Sequence, residues 1–230
     1  MEKEERILRP SLLSADFSAL GREIDEMISL KIKDCHYDVM DGTFVNDISF
    51  GEPVYKSLMK RYQGKIQFDV HLMCVDPLRH VKEFYKAGAR EICFHFEAFD
   101  KNTDEILKLK EEMPDLRLGI AFSPCTEVSD VLPYLSLFDS VLVMSVVPGK
   151  GGQSYIAGSE DKIQALSSYR KEKGLGYLIG VDGGINSSTC SLVYSHGADW
   201  MVCGSYYFKA QDRKALLDEF SSSLGGRKDD

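Results

Sequence analysis

Val141-Leu142-Val143-Met144 is an unbroken apolar run. A strand with one wet face alternates polar and apolar side chains. A run without that alternation reads as a strand buried on both faces, the pattern of a parallel sheet covered by helices. The expected strand is Ser140–Met144. Seven further short apolar or β-branched runs predict strands at Ile7–Pro10, Cys35–Met40, Ile66–Leu72, Glu91–Phe96, Leu116–Ala121, Tyr177–Val181 and Trp200–Cys203. Ile7–Pro10 is the least regular, because it is short and ends on a proline. Helical patterns follow each strand, at Ser18–Leu30, Pro53–Tyr62, Pro77–Ala87, Asn102–Glu112, Glu127–Tyr134, Ser159–Lys173, Ser187–Ser195 and Asp212–Ser223. Pro53 and Pro77 suit a first helical turn, where a missing N–H costs nothing. Strand-then-helix units repeated along 230 residues fit a single (β/α)8 TIM barrel over residues 1–230, since such barrels take about 250 residues. A doubly wound open sheet is the alternative. A polar tail is expected from about residue 224, ending Gly225-Gly226-Arg227-Lys228-Asp229-Asp230.

The composition narrows the function. Apolar residues make up 43% of the chain, enough for a real core, which argues against disorder. The formal charge of -8 argues against nucleic acid or an anionic membrane as the main partner. A phosphorylated small molecule stays open, because backbone N–H groups and helix N-termini hold phosphate whatever the net charge. Cys35, Cys74, Cys93, Cys125, Cys190 and Cys203 are widely spread, with no C-x-x-C pair. They read as free thiols in a reducing compartment. The charged start Met1–Arg6 is followed by no signal-type apolar stretch, and no run is long enough for a bilayer, so a cytoplasmic location is expected.

Four segments carry candidate chemistry. In Cys35-His36-Tyr37-Asp38-Val39-Met40-Asp41-Gly42, His36 and Asp38 share one face of a strand, because side chains alternate with period two. Together they can chelate a divalent metal, or form a plain hydrogen-bonded pair inside a barrel. In Phe68-Asp69-Val70-His71-Leu72-Met73, Asp69 lies on the face of His71 and is expected to orient it. In Gly180-Val181-Asp182-Gly183-Gly184-Ile185-Asn186, Asp182 ends a strand, and the glycines allow a tight turn or close approach to a ligand. The plain alternative is a strand-to-helix turn capped by Asn186. His36, Asp38, His71 and Asp182 then form a two-histidine, two-carboxylate set at strand C-terminal ends, where barrel active sites lie. The fourth segment, Val147-Pro148-Gly149-Lys150-Gly151-Gly152-Gln153-Ser154, can aim several N–H groups at an anion. Gly183-Gly184 and Gly204-Ser205 extend that role to the next two loops, and barrels often bind phosphate after strands seven and eight.

Several blocks now stand in order: Pro10-Ser11-Leu12-Leu13-Ser14-Ala15-Asp16-Phe17, Asp38-Val39-Met40-Asp41-Gly42, Asp69-Val70-His71-Leu72-Met73, Met144-Ser145-Val146, Gly149 to Gln153, and Val181-Asp182-Gly183-Gly184-Ile185. In these blocks, from about Ile7 to Ala210, the chain resembles ribulose-phosphate 3-epimerases. The resemblance implies one divalent metal ion, Zn²⁺ or Fe²⁺ before Mn²⁺ or Co²⁺, held by His36, Asp38, His71 and Asp182. It implies Asp38 and Asp182 as the acid/base pair. It places the substrate on Ser11, His71, Gly149, Lys150, Gly151, Gly152, Asp182, Gly183, Gly184, Gly204 and Ser205, with Met40, Met73 and Met144 lining the pocket. On composition alone those methionines are flexible core filler. A ketose phosphate is the implied substrate and a homo-oligomer the implied assembly.

The chain departs from the family at Lys150, where Phe is usual, and at Val147, Asn46-Asp47 and Tyr155. Lys150 either adds a cation near a phosphate or points to solvent, and solvent is the expectation. Competing readings are a 3-epimerase of a hexulose phosphate such as D-allulose 6-phosphate, a metal-free phosphate-binding barrel enzyme, and a non-enzymatic sugar-phosphate binder.

Overall fold

The computed structural model describes residues 7–224; the charged start and the tail discussed above lie outside the described residues. Eight parallel strands form one sheet: β1 Leu8–Pro10, β2 Asp34–Met40, β3 Gln67–Met73, β4 Glu91–His95, β5 Arg117–Phe122, β6 Ser140–Met144, β7 Leu178–Asp182 and β8 Trp200–Cys203. Each pairs with its sequence neighbour from β2 to β8, and β1 pairs with β8. A parallel bridge between Ser11 and His36 joins the first strand to the second. The sheet thereby rolls into a (β/α)8 TIM barrel, and the open-sheet alternative falls.

Helices alternate with the strands: α1 Leu20–Ser29, α2 Glu52–Tyr62, α3 Pro77–Lys86, α4 Thr103–Glu112, α5 Val128–Val131, α6 Ser159–Lys173, α7 Ser187–Ser195, α8 Ser205–Phe208 and α9 Arg213–Ser223. Asn186 caps α7 with its side chain, accepting from the Ser188 and Thr189 N–H groups. The helix expected at Glu127–Tyr134 is the main correction. It forms one α turn and then a 3₁₀ segment, Leu132–Leu137, because Pro133 lacks the N–H and clashes with the preceding turn. The single turn α8 had no periodic signature.

Period-two alternation sorts every strand. Outward side chains such as Tyr37, Val70, Phe94, Ile120, Val143 and Val181 pack in the large core beneath the helices. Inward ones form a small second core of Cys93, Ala121, Leu142, Met144, Trp200 and Val202, joined by Val146. The apolar run of β6 contributes to both cores, as its lack of alternation requires. Below the mouth, the Arg9 guanidinium lies 3.9 Å from the Trp200 ring centroid and pairs with Asp69 at 2.9 Å and Glu91 at 2.5 Å. Gly180 makes room for Trp200: a Cβ there would stand 2.2 Å from the indole.

Candidate active site at the barrel mouth

The C-terminal ends of β2, β3 and β7 bring His36, Asp38, His71 and Asp182 together. One donor atom from each lies within 4.8 Å of the other three. Asp38 Oδ1 is 3.2 Å from His36 Nε2 and 3.1 Å from His71 Nδ1. Asp182 Oδ2 is 3.9 and 3.8 Å from the same two nitrogens. The nitrogens themselves are 3.2 Å apart. Both histidines are fully buried and Asp38 nearly so, whereas Asp182 keeps 17% of its side chain exposed toward the opening.

Neighbouring groups orient each member. Ser11 Oγ donates to Asp38 Oδ2 at 2.6 Å. Ser145 Oγ donates to the backbone carbonyls of Asp182 and Gly183 at 3.0 and 2.7 Å, holding the end of β7. Asp69, expected to serve His71, instead faces His36, whose Nδ1 is 2.8 Å from its Oδ2. The physical reason is register: Asp69 stands directly opposite His36 across the β2–β3 ladder, closer than its own strand neighbour two residues on. With its Nδ1 hydrogen given to Asp69, a neutral His36 turns the lone pair of Nε2 toward the centre. His71 has a partner that the sequence did not mark, since its Nε2 lies 3.0 Å from His95 Nε2.

The electrostatics separate the two carboxyl groups. Burial opposes ionisation of Asp38, but the His36 and His71 imidazoles outweigh it and hold the group well below the usual carboxylate range. Asp182 is pushed up to about 7 by burial and by the negative charge of Asp38. His36 is driven well above its ordinary value against burial, by Asp38 and Asp69. A proton or a divalent cation at Nε2 satisfies that same field. Two imidazoles and two carboxylates converging on one point are a donor set suited to a divalent transition metal.

Around this centre runs a cleft lined by Ser11, Asp38, Met40, Met73, Met144, Gly149, Lys150, Gly151, Gly152, Asp182, Gly183, Gly184, Gly204 and Ser205. Every residue expected to contact substrate or line the pocket is therefore on its wall, apart from His71, which sits buried below. Leu13, Ser14, Val146, Val147, Pro148, Gln153, Ile185, Val202 and Tyr206 complete it. Lys150 is exposed, as expected, at the rim. Gly183 and Gly184 have φ of +123° and +64°, and a Cβ on Gly184 would meet the Tyr155 backbone nitrogen at 2.3 Å. The loop after β6 thus packs directly on the turn after β7.

Residues 7–208 match the model of the ribulose-phosphate 3 epimerase family. The chain belongs to that family. It is similar to the ribulose-phosphate 3-epimerase of Treponema pallidum (strain Nichols), 39% identical over 216 residues, covering 94% of this chain and 97% of the relative. Its identity to the ribulose-phosphate 3-epimerase of Escherichia coli (strain K12) is 36% over 218 residues, covering 95% and 96%. Among solved structures, 3-hexulose-6-phosphate synthase from Salmonella typhimurium superposes with a TM-score of 0.69 at 15% identity, over 95% of this chain and 98% of that one. That likeness concerns the fold alone. Membership makes the chain an epimerase. Among the described residues no helix is long and apolar enough to cross a membrane.

Proposed function

We propose that the chain interconverts D-ribulose 5-phosphate and D-xylulose 5-phosphate by epimerisation at C3, in a metal-dependent two-carboxylate reaction. The observation that carries this reading is the pair Asp38 and Asp182, which come from separate strands and face the same two histidine nitrogens, Asp38 at 3.2 and 3.1 Å and Asp182 at 3.9 and 3.8 Å. Epimerisation needs one group to take a proton from one face of C3 and another to return a proton to the opposite face. When the C3–H bond breaks, its electron pair enters a C2–C3 double bond and the C2 carbonyl becomes an enediolate oxygen. Reprotonation from the other side inverts the centre. One aspartate serves each face, and Ser11 and Ser145 keep the two aimed.

His36, Asp38, His71 and Asp182 would hold the metal, with Zn²⁺ or Fe²⁺ best suited to the imidazole ligands. Such an ion supplies Lewis-acid stabilisation of negative charge on the ketose oxygens, worth several kcal/mol. Met40, Met73 and Met144 wall the cleft with apolar, polarisable groups that exclude water. The glycine-bearing loops at Gly149–Gly152, Gly183-Gly184 and Gly204-Ser205 hold the phosphate and so orient the sugar. The relatives named ribulose-phosphate 3-epimerase support the choice of a pentulose phosphate.

The deciding experiment is solvent-deuterium exchange at C3 of ribulose 5-phosphate, run with the metal-loaded protein, after chelation, and after a divalent ion is restored. Exchange that disappears with the chelator and returns with the ion is expected. Full exchange in a verified metal-free sample would remove the metal from the reading. Faster turnover of allulose 6-phosphate in direct competition would reassign the substrate.

A further inference from the structure

His95 occupies the last position of β4 and is fully buried. Its ring lies edge to edge with that of His71, with centroids 5.0 Å apart and planes 25° from parallel, and their Nε2 atoms are 3.0 Å apart. Two imidazole nitrogens at that distance share one hydrogen, so one donates and the other accepts. His71 turns its Nδ1 toward His36, Asp38 and Asp182. A nitrogen that ligates a cation there offers its lone pair, which leaves the His71 hydrogen on Nε2. His95 Nε2 is then the acceptor. A neutral His95 carries its own hydrogen on Nδ1, which faces Glu97 Oε2 at 3.0 Å.

Glu97 is held in turn. Its Oε1 accepts from the Ser123 N–H at 2.8 Å and from the Thr126 hydroxyl, both in the segment that leads from β5 to α5. On the other side Phe44, from the loop after β2, packs against the His95 ring with centroids 4.8 Å apart. Donation therefore runs from His71 to His95 and from His95 to Glu97, whose carboxylate also accepts from the loop after β5. Among the described residues no other charged side chain pairs with His95.

We propose that His95 and Glu97 are positioning residues that fix the tautomer and ring angle of His71, so that its Nδ1 faces a divalent cation as a ligand. The assignment depends on the metal centre proposed above. Groups that orient a ligating histidine in this way typically change metal affinity by about 10–100-fold when removed.

The test measures Zn²⁺ affinity by competition with a chromophoric chelator in the parent protein, His95→Phe, His95→Gln and Glu97→Ala, with folding checked by circular dichroism. The Phe ring fills the volume but accepts no hydrogen bond, so His95→Phe is expected to bind Zn²⁺ about 10–100-fold more weakly. In His95→Gln an amide oxygen can take the same hydrogen, and affinity stays near the parent value. Glu97→Ala is expected to weaken binding in the same direction as His95→Phe. Equal affinity in the parent and in folded His95→Phe would overturn the positioning role while leaving the metal centre intact. A parent protein that does not bind Zn²⁺ would overturn the centre and the proposal with it. A second measurement stands if a variant fails to fold: ¹⁵N spectra of the Zn²⁺-loaded parent should show His71 protonated on Nε2 and His95 on Nδ1. The reverse tautomer at His95 would refute the assignment.

Discussion

Asp38 and Asp182 meet the same two histidines but differ in what stands behind them. Asp38 is surrounded by donors, whereas Asp182 faces the opening with a like charge beside it. In the proposed reaction, replacing either by asparagine would remove a proton carrier without changing shape. Asp38→Asn and Asp182→Asn are each expected to lower kcat at least about 100-fold, the usual scale of acid/base contributions. The measurement is steady-state turnover at matched metal content, and near-parental kcat in Asp182→Asn would remove its role. Asp69 joins the site to the barrel floor, since one oxygen faces both His36 and Arg9. Asp69→Asn should weaken Zn²⁺ binding by about tenfold and cost roughly 1–3 kcal/mol in urea unfolding, as the buried Arg9 loses a charged partner. The four clustered residues were legible in the sequence because strand-end position and period-two spacing both point inward. The partners of the histidines were not, because they depend on how one strand slides against the next. Asp69 faces His36 through the β2–β3 ladder, and His95 reaches His71 from a third strand. A lone histidine ending the apolar run Ile92-Cys93-Phe94 gives no sign of that partner.

At the scale of elements, β6 and β8 run between the same residues that their apolar stretches predicted. Other strands shift by one residue at one or both ends, as β3 and β7 do where Met73 and Asp182 extend the ladder into residues that line the cleft. α5 departs most, and Pro133 is the visible cause once the alternative of a short 3₁₀ segment is considered. Small residues inside the strands have a packing purpose that periodicity cannot register. Gly119 lies against the Ser140 hydroxyl, and Gly180 against Trp200. Gly180→Ala should therefore force the buried indole to move, with a stability loss of about 1–3 kcal/mol, the range for overpacked cores. Thermal unfolding measures it, and an unchanged midpoint would mean that Trp200 shifts freely.

For the molecule as a whole, closure of the barrel brings the two ends of the described chain together. Arg213, at the start of α9, bonds Glu23 at 2.6 Å and Glu26 at 2.7 Å on α1. The Arg213 and Glu23 side chains are only 12% and 11% exposed. Arg213→Ala should cost about 2 kcal/mol in denaturant unfolding, because a mostly buried carboxylate loses its charged partner. The Glu26 share of that loss should shrink in high salt, since its side chain is 47% exposed. A loss below a few tenths of a kcal/mol would show that α9 docks by apolar packing alone.

The stack of Arg9 on Trp200, with Asp69 above it, bears on transplantation. An engineer who moved only the mouth residues onto another eight-stranded scaffold would copy the instrument without its mounting. The imidazole of His36 would lack its acceptor, and the acceptor its guanidinium counterweight. A working graft therefore has to carry a column of side chains running down the inside of the barrel, including the bare Gly180 that makes room for the indole.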